Sequence, residues 1–446
     1  MTALVQMLRN RLGEFWFYSL VLFVACRAAD VVNAVVGIWV VPRYVSAAEL
    51  GAVVPLTAFA ATLALPASVF ATTFMKELNS LALRERFGEM KTLIRGVFLG
   101  TGGFLLVAMA VMHFALPAFL TRIRVVRGSL GALILVAGFL GAAAPVYVNA
   151  LQALKKFKAI SLTQILGAPL RLAVMLVAMP FRALSGYFLG QAAPYVLHVA
   201  VAVVALRREL AVPARPYWSR AVAKRLYRTF LLVLSCQLSL GVAGLVEATV
   251  LRQRLPDVES AAYYLISRFS DVAGFLMMTL AVTLFPFTAE LAERGRSTRP
   301  LMLKAIGAVL ASNALFALFA FCFGERLLAL MPGGASYAPY AWALAWMIAL
   351  TTLGAVATLY VTTEISASRF GFLAWWVPVN LAYPALLLLT TGYRYFLAWL
   401  PTGLADFLAE HNVTSLGAYL GWASAAAFAR ALFVGIDVWR QGRSGR

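Results

Sequence analysis

Residues 207–228 read RRELAVPARPYWSRAVAKRLYR, with seven arginines and lysines against the single carboxylate of Glu209. On either side the chain turns apolar, over 186–206 before the stretch and 229–251 after it. Each block has the length of a helix that crosses ~30 Å of hydrocarbon. A basic, proline-broken stretch between two such blocks reads as a loop at a membrane face. Basic residues concentrated in such short loops mark the cytoplasmic side.

The same alternation continues outward to both ends. Of 446 residues, 62% are hydrophobic and 13% charged, too few charges to cover the surface of a soluble protein. Backbone in lipid must satisfy its own hydrogen bonds, so the blocks are helices. The apolar–polar alternation of a transmembrane barrel is missing. Twelve spans are expected: 17–42, 50–75, 93–116, 129–150, 159–180, 186–206, 229–251, 261–289, 305–323, 337–362, 371–393 and 416–438. The start, MTALVQMLRNRLGEFW, reads as a basic approach to the first span rather than a cleavable signal. The expected fold class is therefore an all-α polytopic membrane protein with two six-helix bundles around a central cavity. The expected organisation is an N-terminal lobe over 1–206, a basic linker over 207–228 and a C-terminal lobe over 229–446. An amphipathic helix lying on anionic lipid fits within the linker.

The net charge of +20 suggests nucleic acid only until the charges are placed. With the N-terminus inside, 25 of the 38 basic residues fall in cytoplasmic segments and nine in external ones. That bias predicts both termini in the cytoplasm, with Lys156, Arg220 and Arg299 inside and Arg124 and Glu410 outside. There is no nucleic-acid module. The first and seventh turnarounds look weakly repeated: Arg43 stands six residues before Glu49 and Arg254 five before Glu259.

Enzyme motifs are missing. No Gly-rich loop carries Lys-Ser or Lys-Thr, and there is no HExxH. His113, His198 and His411 are too scattered for a triad or metal site, and Cys26, Cys236 and Cys322 each stand alone in an apolar block. No cofactor or metal is expected, and the chain is read as a non-enzyme. The longest external stretch, 394–415, holds Asp406 and Glu410 among aromatics suited to an interface.

The informative groups are charges inside spans, which are costly in lipid and face a bundle interior or a wet cavity. CRAADVVN sets Arg27, Asp30 and Asn33 three apart on one polar arc of the first span. Arg268 and Asp271 repeat the spacing in the eighth. Two readings of each pair stay open, a self-neutralising structural pair or a substrate and coupling group. Arg171, with Gln164 in the fifth span, has no acidic neighbour in sequence and is the best single anion-binding candidate. Glu247 and Arg430 lie toward span ends and read as snorkelling. Asn149, Gln237 and Asn380 are the remaining polar groups in spans. Pro55, Pro66, Pro145, Pro169, Pro194, Pro286, Pro378 and Pro384 are expected to bend their helices.

Three segments resemble the multidrug/oligosaccharidyl-lipid/polysaccharide exporter superfamily, and within it the bacterial polysaccharide flippases. PRYVSAAELGAVV is similar to the family's segment opening span two. ESAAYYLISRF, with Tyr263, Tyr264 and Arg268, looks like its opening of span eight, with Ser260-Ala261 where a glycine is expected. FPFTAEL, with Pro286, resembles its phenylalanine–proline end of that span. The resemblance covers most of the chain and implies two six-helix lobes in the bacterial cytoplasmic membrane. It implies flipping of a polyprenyl-pyrophosphate-linked oligosaccharide for cell-surface polysaccharide assembly. The implied partners are that anionic lipid-linked substrate, membrane lipids and other polysaccharide-assembly proteins. Arg27, Arg171 and Arg268 suit a pyrophosphate, and Asp30 and Asp271 suit ion coupling. The competing readings are a multidrug-type exporter of the same fold, a component of an exopolysaccharide secretion complex, and a membrane glycosyltransferase, which the short loops disfavour.

Overall fold

Ten of the expected spans coincide with one described helix each, and the other two share a single helix. The computed structural model describes residues 24–125, 128–154, 156–390 and 413–444. Helix α1 covers Val24–Tyr44, with a π-helical stretch at Val36–Val40. There follow α2 (Ala47–Leu83), α3 (Phe87–Arg122), α4 (Gly128–Ala153) and α5 (Phe157–Ala205). A short α6 (Arg207–Ala211) leads to α7 (Arg220–Arg254), α8 (Asp257–Glu293), α9 (Arg299–Ala329), α10 (Trp342–Ser366), α11 (Leu373–Thr390) and α12 (Leu416–Ser444). Among the described residues, nine stretches are long and apolar enough to cross a membrane. Phe114, Phe181 and Phe321 are each about four-fifths exposed, as side chains facing lipid would be. The chain is an all-α integral membrane protein.

The long α5 carries two expected spans because its backbone breaks at Arg182 (φ −147°, ψ 61°), two residues after Pro180. The two legs then run back along each other. A Cβ on Gly186 would lie 2.6 Å from the Met179 nitrogen, and one on Gly190 would run into the Met175 side chain. Only glycine allows that approach. The other prolines do less than expected: α2 runs unbroken through Pro55 and Pro66. Neighbouring groups in a bundle re-satisfy the backbone that proline frees. The basic stretch between the fifth and seventh helices is partly helical. It holds one short helix, α6, then a non-helical segment over 212–219, and α7 begins at Arg220 within the basic stretch.

Contacts group the chain into two units. One comprises Met1–Val36, Ala60–Ala118 and Arg127–Leu234; the other comprises Gly37–Phe59, Phe119–Val126 and Ser235–Arg446. The first unit is built around Phe74, Leu93, Ile94, Leu151, Ile160 and Leu206, with Phe70 stacked on Phe230 at 3.9 Å. The second is built around Tyr360, Phe372 and Trp376 and around Leu284, Val309 and Leu359. Helix starts follow local chemistry. Ser46 and Glu49 cap α2 reciprocally: Ser46 N–H donates to Glu49 Oε2 (3.3 Å) and Glu49 N–H donates to Ser46 Oγ (3.3 Å). Glu259, the counterpart in the seventh turnaround, accepts from the Leu416 N–H at the start of α12 (2.9 Å).

Candidate functional site

In the first unit the two legs of α5 each present a polar face. Gln164, Gly167, Ala168 and Arg171 follow i, i+3, i+4, i+7 spacing on the first leg. Gln191, Pro194, Tyr195 and His198 repeat that spacing on the second. Because the break falls midway between them, the legs fold these faces against one another. With Ala29 and Asn33 of α1 and Thr163, they line a cleft of about 130 Å³. That volume falls below the ~300–1,000 Å³ of pockets for drug-sized ligands, so it fits a charged group rather than a whole oligosaccharide.

Arg171 Nη1 donates to Asn33 Oδ1 at 3.0 Å, while its buried Nε has no hydrogen-bond partner among the described residues. Among the described residues Arg171 makes no ion pair. Gln191 Nε2 donates to the Tyr187 hydroxyl (2.7 Å), and Tyr195 meets His198 edge-on at 6.3 Å between ring centres. A guanidinium mid-helix costs ~2.5–3.5 kcal/mol on insertion scales. One hydrogen bond to a neutral amide recovers only ~0.6 kcal/mol in a membrane bundle. Water or an anion in the cleft would supply more.

The structure places the other candidates as follows. Arg27 pairs with Asp30 at 2.9 Å, and both are about one-quarter exposed. They sit on α1 in the same unit as Arg171, with Asn33 one helical turn beyond Asp30. Arg268 and Asp271 belong to the second unit and pair at 3.0 Å. Arg268 also lies over the Tyr264 ring at 5.5 Å and packs against Gly37 in the π-helical stretch, where a Cβ would meet its Cδ at 3.3 Å.

The snorkelling expected of Glu247 and Arg430 is overturned. The Glu247 carboxylate accepts hydrogen bonds from Tyr419 and from Tyr263 (3.3 Å). The two phenol oxygens lie 3.4 Å apart. Arg430 lies 5.9 Å from the Tyr383 ring centre. These groups come from α7, α8, α11 and α12 and form a polar knot. Helical spacing gives no sign of it, because its members stand far apart in the chain. The one available signal was a carboxylate seven residues inside α7, deeper than a snorkelling group needs to be. Asp406 and Glu410 lie outside the described residues.

No protein-family model matches the sequence, and no curated protein does. Solved structures do. An outward-facing multidrug resistance MATE family transporter of the MOP superfamily aligns with 98% of each chain, at a TM-score of 0.66 and 14% identity. An inward-facing one covers 95% of this chain and 96% of its own, at 0.62 and 14%. A MOP superfamily transporter from Pyrococcus furiosus, described as having a binding pocket of reversed polarity, covers 94% of each chain at 0.65 and 13%. At these identities the likeness establishes the fold, and the chain has it over nearly its whole length.

Proposed function

We propose that this chain is an alternating-access membrane transporter of the MOP type that moves an anionic lipid-linked substrate. The substrate we propose is a polyprenyl-pyrophosphate-linked oligosaccharide bound for cell-surface polysaccharide assembly. Arg171 carries the proposal: a guanidinium in a polar cleft of the first unit, held by a neutral amide and, among the described residues, with no carboxylate paired to it. Guanidinium forks match phosphate oxygens bidentately, and a pyrophosphate would supply the charge that Asn33 does not. The apolar tail can remain in lipid while the headgroup occupies the cleft. Arg27 and Arg268 are proposed as further contacts along the route. Asp30 and Asp271 are proposed to couple an ion to headgroup release, since the sequence holds no nucleotide-binding motif.

In this proposal the lobes are 1–206 and 229–446, the membrane is the bacterial cytoplasmic one, and both termini are inside. The multidrug reading has its own support in the neighbours of known fold, which are described as multidrug transporters. Proteoliposomes separate the two. With purified protein, a pyrophosphate-linked glycolipid should cross while a cationic dye should not accumulate. Dye transport without glycolipid transport would transfer the assignment to the multidrug reading.

A further inference from the structure

The basic stretch over 207–228 is a built surface rather than a slack loop. Arg215 N–H donates to Gly88 O (3.0 Å), Lys91 Nζ to Val212 O (3.1 Å) and Thr92 Oγ1 to Arg215 O (2.7 Å). The Tyr217 hydroxyl donates to Glu77 Oε2 (2.7 Å), and Arg225 pairs with Glu77 at 2.5 Å. Trp218 lies edge-on to Phe74 at 6.0 Å and over Gly96, where a Cβ would come within 2.8 Å of its Nε1. The strap therefore sets where α7 begins and which way it faces.

Helix α7 turns Leu226, Phe230 and Val233 inward, where they are buried. Its opposite face carries Arg220, Lys224 and Arg228 at four-residue intervals, all exposed. Tyr227 on that face is also exposed, and so are Leu231 and Leu238 further along. The outward stripe is thus cationic for its first turns and apolar afterwards. From Lys224 to Leu231 is ~10 Å along the axis, the scale of the step from headgroups to acyl chains. An exposed tyrosine at that step is the aromatic that interfaces favour. No acidic residue occurs between Arg220 and Glu247, and Arg220, Lys224 and Arg228 make no ion pair among the described residues. Arg225, by contrast, is used up on Glu77.

We infer that the outward face of α7 at Arg220, Lys224 and Arg228 is a binding site for the headgroup phosphate of an anionic phospholipid. The tail of that lipid runs down the apolar continuation of the stripe. The site is independent of the Arg171 cleft and does not rest on the proposed substrate. Each cation near an anionic membrane surface contributes roughly a fivefold preference, so removing three should cost at least ~10-fold even with partial redundancy.

The experiment is native mass spectrometry of the full chain in detergent with added phosphatidylglycerol or phosphatidylcholine. The unaltered chain should retain phosphatidylglycerol over phosphatidylcholine. The R220Q/K224Q/R228Q variant, checked for monodispersity and thermal midpoint, should lose that preference, and R294Q/R296Q should keep it. Single K224E keeps the comparison available if the triple variant misfolds. Equal retention of both lipids by the unaltered chain would overturn the site, as would full preference in the triple variant or in K224E. Displacement of phosphatidylglycerol by millimolar inorganic phosphate would reassign the surface to free phosphate and overturn the lipid assignment.

Discussion

Removing the Glu247 carboxylate isolates what the polar knot of the second unit does. In Glu247→Ala the hydroxyls of Tyr419 and Tyr263 lose an acceptor. Side-chain hydrogen bonds between membrane helices average ~0.6 kcal/mol and reach ~1.7, so the two phenols account for roughly 1–3 kcal/mol. The expected loss is therefore about 1–3 kcal/mol for Glu247→Ala. It should be about 1 kcal/mol for Tyr419→Phe, which removes one donor. Glu247→Gln keeps an acceptor and should fall between the two. The assay is reversible unfolding in mixed micelles, with a Glu247→Gln/Tyr419→Phe double variant to read the coupling. A Glu247→Ala protein within about 0.5 kcal/mol of the parent would refute this account, because the residue would then be solvated rather than knotted.

Other perturbations follow from the same geometry. Gly186→Ala puts a Cβ 2.6 Å from the Met179 nitrogen, a backbone atom that cannot swing aside. It should lower the thermal midpoint by an amount reflecting ~1–3 kcal/mol of overpacking, while Gly244→Ala, in open space, should leave it unchanged. Asp30→Asn takes from Arg27 its carboxylate at 2.9 Å and should reduce folded yield. Arg27→Ala/Asp30→Ala should largely restore folding, and its transport rate then tells whether the pair also acts on substrate. Burial works to raise the Glu209 pKa, but the Lys156 hydrogen bond and charge outweigh it, so the group sits below its ordinary value of 4.5. A depressed folded pKa stabilises above the unfolded value and is lost as pH falls through the folded one. Amide protection factors over 205–211, corrected for the pH dependence of intrinsic exchange, should therefore fall below about pH 4.5, and Glu209→Gln should abolish that fall.

How much of this was legible in the sequence differs between elements. Spans were legible because a helix in lipid must satisfy its own backbone, so length and apolarity suffice. The i, i+3 pairs Arg27–Asp30 and Arg268–Asp271 were legible because both partners lie on one helix face. Arg171 stood out by lacking an acid nearby, but its partner Asn33 is 138 residues away, and no helical period reaches that far. Glu247 was misread for the same reason, since its phenols lie on α8 and α12. The break at Arg182 follows Pro180, which was not among the prolines expected to bend their helices, while α2 runs unbroken over Pro55 and Pro66. Which proline bends a helix is decided by neighbours such as Gly186 and Gly190 that let two legs close together.

The most direct measurement is glycolipid flipping in proteoliposomes by the parent, Arg171→Ala and Arg171→Lys, each confirmed to be folded. If Arg171 holds the pyrophosphate, alanine should reduce flipping by at least ~10-fold, as loss of a charge-assisted bidentate contact implies. Lysine, which keeps the charge without the fork, should recover part of the rate. Parental flipping in folded Arg171→Ala would contradict the account and leave only the fold standing.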